Sequence, residues 1–419
     1  MKKVRVVVLL MAALFLFGTC ATAAEPVALK WAVWDTHLVT YYEPLIEAFR
    51  AKNPHVTFEL IDLGAADYHV VASTQLSGGV DFDVVTIKDI PGYANLVSQN
   101  HLEPLNCYIA SAGVDTSLFG GITEQIAVDG EVYALPFRSD FWIIYYNKDL
   151  FDAAGVAYPT NDMTFAEYDA IARQVTRGSG AEKVYGAHYH TWRSASQLFA
   201  VLDGKNTVVD GTYDFLKPTY EMVLKQQDDG IVMDLATLRT TSTHYSGVWF
   251  NQQIAMMNMG TWFIPTQIAM LESGESLAKN WGIAKYPHPE GIPAGTTLGT
   301  ITAASVARIS NNKETAFDFV NFISGPEGAE IMANLGQFPA IMTDSVVDII
   351  AAGEGFPEGD SNKEALKTHT VYLEMPLHER SAEIEIVLNE AHLEIMTGEM
   401  TIDEGIEEMN ERVGQILGN

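Results

Sequence analysis

The residues of this chain that could do chemistry are aromatic and polar rather than nucleophilic. None of the patterns G-x-S-x-G, H-E-x-x-H, G-x-x-x-x-G-K-S/T, paired C-x-x-C or a calcium loop occurs. A nucleophile elbow, a zinc-protease helix, a phosphate-cradling loop and an EF-hand are therefore without a signature. His188-Tyr189-His190 would place two imidazoles on one face of a strand, but nothing nearby completes a metal set. Among 54 acidic residues no carboxylate pair stands out as the acid and base of a glycosidase. The run Ile254-Ala255-Met256-Met257-Asn258-Met259 reads as a buried strand rather than a cofactor box. No cofactor and no metal is implied.

Tryptophans carry the positive signal. Trp34, Trp142, Trp192, Trp249 and Trp262 fall near the ends of expected strands, and polar neighbours accompany them: Asp35, Asp140, Arg193, Asn251 and Thr261. A pyranose ring has apolar C–H faces and a rim of hydroxyls. Aromatic plates cover the faces, while carboxylates, amides and guanidinium groups take the hydroxyls. A single tryptophan is more often core than platform; this group points to at least two platforms.

The elements that must position them follow from periodicity. Leu29–Trp34, Val56–Leu60 and Val84–Ile87 read as strands, with helices through Tyr41–Phe49, Asp67–Leu76 and Pro91–Gln99 between and after them. That alternation argues for an α/β layer with a parallel sheet. Val132–Leu135 reads as a strand broken by Pro136, and Trp142–Tyr146 as another. Tyr185–Tyr189, Ile254–Met259, Trp281–Lys285 and Ile301–Ala307 are further strand expectations. Thr164-Phe165-Ala166-Glu167 and Thr401-Ile402-Asp403-Glu404 have capping-box spacing, so each opens a helix. Helices are also expected at about 193–203, 218–228 and 261–271, and no strand is expected after Ser345.

Composition limits the partners. The chain of 419 residues is 47 % apolar and carries a net charge of −29, with no basic cluster after Arg5. A sizeable core is available and wholesale disorder is excluded. Nucleic-acid binding is not expected, because phosphate recognition needs a cationic footprint. Lys2, Lys3 and Arg5 precede an apolar run, Val6–Phe17, and then small residues. This reads as a secretory signal peptide, 1–24, too short to be a membrane span. Phe17-Gly18-Thr19-Cys20 offers an alternative, a degenerate lipobox with Cys20 as the lipidated first residue. Ordinary cleavage leaves Cys107 as the lone cysteine, expected to be buried, and a disulfide-rich scaffold is excluded.

Further stretches carry a family likeness: Ala48-Phe49-Arg50-Ala51-Lys52-Asn53-Pro54, Gly130-Glu131-Val132-Tyr133-Ala134-Leu135-Pro136, Tyr145-Tyr146-Asn147-Lys148-Asp149-Leu150-Phe151, Met257-Asn258-Met259-Gly260-Thr261-Trp262 and Ala316-Phe317-Asp318-Phe319-Val320. In this order the chain resembles the family-1 extracellular solute-binding proteins of bacterial ABC importers, the group that includes maltose-binding protein. The resemblance implies an α/β, two-lobed periplasmic-binding-protein fold (type II-like) with a ligand cleft between the lobes and a helical C-terminal tail. It implies three hinge crossings, near Pro136–Arg138, Tyr286–Pro289 and Gln337–Ile341. The N-terminal lobe would comprise 25–137 and 290–338, and the C-terminal lobe 138–289 and 339–419.

By the same resemblance Trp262, after Gly260 and Thr261, matches a stacking tryptophan, with Gly260 letting backbone approach the ligand. Asp140 would grip hydroxyls at the first crossing, flanked by Arg138 and Trp142. Trp34, Asp35 and Thr36 follow the first strand, Lys88 and Asp89 end the third, and Thr297 and Thr300 would present hydroxyls. His190, Trp192, Trp249 and Tyr372 join on side-chain chemistry alone. The implied activity is capture of a sugar or oligosaccharide by a monomeric periplasmic protein. Delivery is to the transmembrane subunits of an ABC permease, with no bond made or broken. Rival readings keep the fold and change the solute to a polyamine, thiamine, ferric ion or phosphorylated compound; Tyr41-Tyr42 and Tyr145-Tyr146 are the tyrosine pairs a ferric site would use. A secreted carbohydrate-active enzyme and a signalling receptor without transport are the other classes.

Overall fold

The computed structural model describes residues 25–37, 39–64 and 67–418. The expected signal segment and Cys20 lie outside the described residues.

Eight strands are present among these: β1 (Val27–Val33), β2 (Val56–Asp62), β3 (Val84–Ile87), β4 (Leu135–Asn147), β5 (Met256–Gly260), β6 (Trp281–Lys285), β7 (Thr296–Val306) and β8 (Thr370–Leu373). β1 is parallel to both β2 and β3, the arrangement that strand–helix alternation predicts. β3 then pairs antiparallel with the end of β7. The strands β1–β3 never pair with β5 or β6; the two groups are joined through β4 and β7. This connectivity makes the molecule two-lobed.

β4 is the long connector. Leu135–Phe141 pairs with β7, and beyond Phe141 the same strand pairs with β5 on one side and β6 on the other. Pro136 does not break it, contrary to the sequence expectation. The register shifts between Pro136 and Arg138, and such an irregularity is where a sheet tolerates a residue without an N–H. Alongside runs a third segment: Ser139 N donates to Phe338 O and Ala340 N to Phe137 O, each at 3.1 Å. β4, β7 and Phe338–Ala340 thus lie side by side at the junction of the lobes.

Past this junction β4 separates two cores by its period of two. Ile143 and Tyr145 face one cluster, continuous with the core around β1–β3. Trp142, Ile144 and Tyr146 face the other, filled by Tyr168, Phe199, Tyr220 and the two C-terminal helices. Both tyrosine pairs considered for a ferric site, Tyr41-Tyr42 and Tyr145-Tyr146, are buried in these cores.

Three further expectations are corrected. Tyr185–Tyr189 is no strand; only Tyr185 forms a bridge, to Ile254. There Gly186 passes so close to the helix Phe165–Val175 that a Cβ would lie 1.8 Å from Ala172 O. The segment is held by this packing and by backbone hydrogen bonds to Gln253–Met256 and Ile231, too irregular in pattern to make a strand. The C-terminal region is helical, with Asp344–Ala351, Asp360–Ala365, Ser381–Thr397 and Ile402–Leu417, but β8 interrupts it. Four residues are too few to show periodicity; β8 exists because β7 offers it a parallel edge. Cys107 is exposed rather than buried, since its short helix Asn106–Ala112 turns no residue fully inward. Both capping boxes form as spaced, Thr164 with Glu167 and Thr401 with Glu404.

Candidate functional site

Trp262 is the N-cap of the helix Phe263–Glu272, which begins directly after β5 ends at Gly260. A Cβ on Gly260 would lie 2.0 Å from the Trp262 ring. The absence of a side chain at Gly260 therefore lets the indole sit over the glycine's own backbone. Trp262 stays half-buried. Trp142 stands edge-on to it at 5.8 Å, and Trp192 lies 6.3 Å away. Trp192 is 39 % exposed and is flanked by His190 at 4.5 Å and Tyr245 at 5.7 Å. These rings form a continuous aromatic wall. Trp142 is almost wholly buried within it, so it backs Trp262 rather than presenting a face of its own.

Behind the wall, Asp140 is buried and held at both oxygens. Arg138 pairs with Oδ2 at 2.8 Å and Thr261 Oγ1 donates to Oδ1 at 3.0 Å. Burial raises the Asp140 carboxyl, while Arg138 and Thr261 act against that rise. In this geometry Asp140 ties β4 to the turn that carries Trp262.

The opposite lobe contributes the ends of β1 and β3. Lys88 Nζ lies 5.9 Å over the Trp34 ring, which itself packs edge-on to Tyr68. Asp35 adopts a positive φ of 47°. The turn is gathered by Asp62, a residue the sequence reading missed. Asp62 accepts from Asp35 N at 3.0 Å, Thr36 N at 2.8 Å and Thr36 Oγ1 at 2.7 Å. Backbone hydrogen bonds from Gly64 and Thr36 lower its carboxyl to about 2. Asp89 caps the helix Ile90–Ser98 through Gly92 N and faces His69 Nδ1 at 3.3 Å.

Between the lobes lies a cavity of about 190 Å³, lined by Lys88 and Asp89, by Thr300 of β7, and by Arg193, Glu374 and Glu385. At about 30 Å³ per water it holds roughly six waters, room for a small polar ring. A second cavity, about 280 Å³, is lined by Tyr372 with Gln125, Asn206, Thr207 and Glu374. Tyr372 therefore belongs with this second space rather than with Trp262.

Two candidates are removed. Trp249 is fully buried and donates from Nε1 to Gln267 at 3.0 Å; it is a core residue. Thr297 is buried too, its hydroxyl donating to Trp142 O at 2.6 Å, so β7 presents Thr300 instead. His190 is buried at the wall, and burial together with His244 lowers it to about 4, leaving it neutral at pH 7. No group of three or more potential metal ligands occurs among the described residues. Tyr245 and Glu374 were missed because nothing local marks them.

Residues 35–330 match the family described as bacterial extracellular solute-binding protein. The chain belongs to that family. This solute-binding protein is 25 % identical over 363 residues to the lactose-binding protein of Rhizobium radiobacter, a match covering 81 % of this chain and 80 % of that one. It superposes on a sugar transporter from Rhizobium etli, crystallised in an open conformation, with a TM-score of 0.91 and 52 % identity over 92 % of this chain and 98 % of that one. The sugar-binding protein MalE of Xanthomonas citri shares the fold, with a TM-score of 0.77 at 19 % identity over 93 % and 97 % of the two chains. No helix among the described residues of this solute-binding protein is long and apolar enough to cross a membrane.

Proposed function

We propose that this protein captures a sugar or short oligosaccharide between its lobes and delivers it, unaltered, to an ABC permease. The observation that carries the reading is the wall of Trp262 and Trp192 on one lobe, with Trp34 and Lys88 on the other. A half-exposed indole with polar groups around it suits the C–H face of a pyranose. The lactose-binding relative and the sugar transporter of R. etli support the solute class.

Contacts to both lobes favour a closed state, because ligand shifts the open–closed equilibrium only through differential contacts. The lobes divide at 25–137 with 290–338 and at 138–289 with 339–419, and the protein acts as an exported monomer. The lipobox-like Cys20 supports a membrane-anchored mature form as the variant of that localisation. A thermal-shift screen against neutral mono- and oligosaccharides, lactose included, tests the solute class. A ligand at 100 times its Kd adds about 2.7 kcal/mol. A flat screen, or chromatographic detection of a cleaved or oxidised sugar, overturns the reading.

A further inference from the structure

Glu374 lies just past β8, where it lines both cavities. Its Oε1 accepts a hydrogen bond from Trp142 Nε1, and Trp142 in turn stands against Trp262. Among the described residues no group donates to Oε2. The other charges at the cavity are largely matched. Arg193 is buried and engages Glu385 through both Nε, at 2.9 Å, and Nη2. Asp89 is taken up by Gly92 N and His69, and Asp140 by Arg138 and Thr261. Glu374 is left as a carboxyl with one oxygen secured by the aromatic wall and one still able to accept.

We propose that Glu374 is a solute-contacting, specificity-determining residue that accepts a hydroxyl of a neutral sugar and excludes phosphorylated and carboxylated ones. The assignment rests on the carbohydrate reading above and narrows it to uncharged sugars. An ionised carboxylate beside a phosphate in a water-poor cavity is repulsive, whereas a hydroxyl donated to it is a charge-assisted hydrogen bond. The groups facing Glu374 are Trp142 and Asp140 of β4, Arg193, Glu385 of the helix Ser381–Thr397, Tyr286, Tyr372, and Lys88 and Asp89 across the cavity. Burial raises its carboxyl to about 7, against the lowering effects of the Trp142 hydrogen bond and Arg193. A hydroxyl donated to Oε2 favours the ionised form, so sugar affinity should rise with pH through neutrality.

The test is calorimetric titration of the purified protein and of Glu374→Gln with glucose, galactose, lactose, maltose, glucose 6-phosphate and galacturonate at pH 6, 7 and 8. Gln keeps the Trp142 acceptor and the size, and a melting curve verifies that the variant is folded. The expected result has three parts. Wild type binds at least one neutral sugar and neither acidic one. Its affinity rises at least threefold from pH 6 to 8. Glu374→Gln weakens that sugar at least tenfold at pH 8 and flattens the profile. A folded variant with affinity within twofold and an unchanged profile overturns the role of Glu374 and leaves the carbohydrate reading standing. Tighter binding of an acidic sugar overturns the neutral class. No response to any of the six compounds overturns the carbohydrate reading, and this assignment with it.

Discussion

Trp262 and Trp249 are both tryptophans beside polar residues, yet the structure gives them opposite fates. Trp262 is half-exposed on the wall, and Trp249 is sealed in the core. Trp262→Ala should therefore leave the melting temperature nearly unchanged and weaken sugar binding by about 2–4 kcal/mol, as buried interface aromatics do on truncation. That is roughly 30- to 1,000-fold in Kd. Trp249→Ala should cost about 3–5 kcal/mol of stability, the usual loss for a large core aromatic, with little change in affinity of the folded fraction. Calorimetric titration beside a melting curve separates the two; unchanged affinity in folded Trp262→Ala removes it from the site. Gly260→Ala offers a subtler probe. Its Cβ would meet the indole at 2.0 Å, so the ring must swing off its seat. Affinity should fall although the side chain that stacks is still present.

The elements that deliver these side chains are anchored by contacts at their ends. The turn before Trp262 is held to β4 by Thr261 and Asp140, and the turn after β1 by Asp62. The capping boxes do the same for helices. Thr401 Oγ1 accepts from Glu404 N, and the Glu404 carboxylate accepts from Thr401 N in return. Thr401→Ala should destabilise the protein by about 1 kcal/mol and leave sugar affinity unaltered, since Thr401 is exposed and lines neither cavity. Denaturant titration checks it: a midpoint indistinguishable from wild type means the C-terminal helix is held by packing alone. Thr401 and Glu404 are three apart, so this contact is local and was legible. Asp62 and Thr36 are 26 apart, and no periodicity reports such a pairing.

For the molecule as a whole, the side-by-side run of β4, β7 and Phe338–Ala340 leaves each lobe its own strands and joins the two. Small-angle scattering should show a smaller radius of gyration at saturating sugar, and superimposable curves would count against closure. The buried histidines set the acid limit. Burial lowers His188 and His392 from 6.5 to about 3. The unfolded chain takes up these protons first as pH falls, so the folded state keeps its full stability above about pH 6.5 and loses it towards pH 3. Each group removes about 1.4 kcal/mol per pH unit in that window. The melting temperature should drop steadily from pH 6.5 to 4.5; a flat profile would show that the two imidazoles are not held neutral.

The sequence by itself determined the strand–helix alternation, the capping boxes and the solute-binding family, because each is written in short-range pattern or in motif order. It did not separate Trp34, Trp192 and Trp249, since burial depends on which distant surface arrives. Pro136 looked like a strand end until β7 supplied a partner and a register shift absorbed the missing N–H. β8 looked like nothing at all until β7 offered it an edge. Glu374 meets Trp142 across 232 positions. One carboxylate among 54 acidic residues becomes distinctive only when folding strips its water and places it between two cavities. Local pattern fixes which face of an element is apolar; what that face meets is a property of the assembled fold.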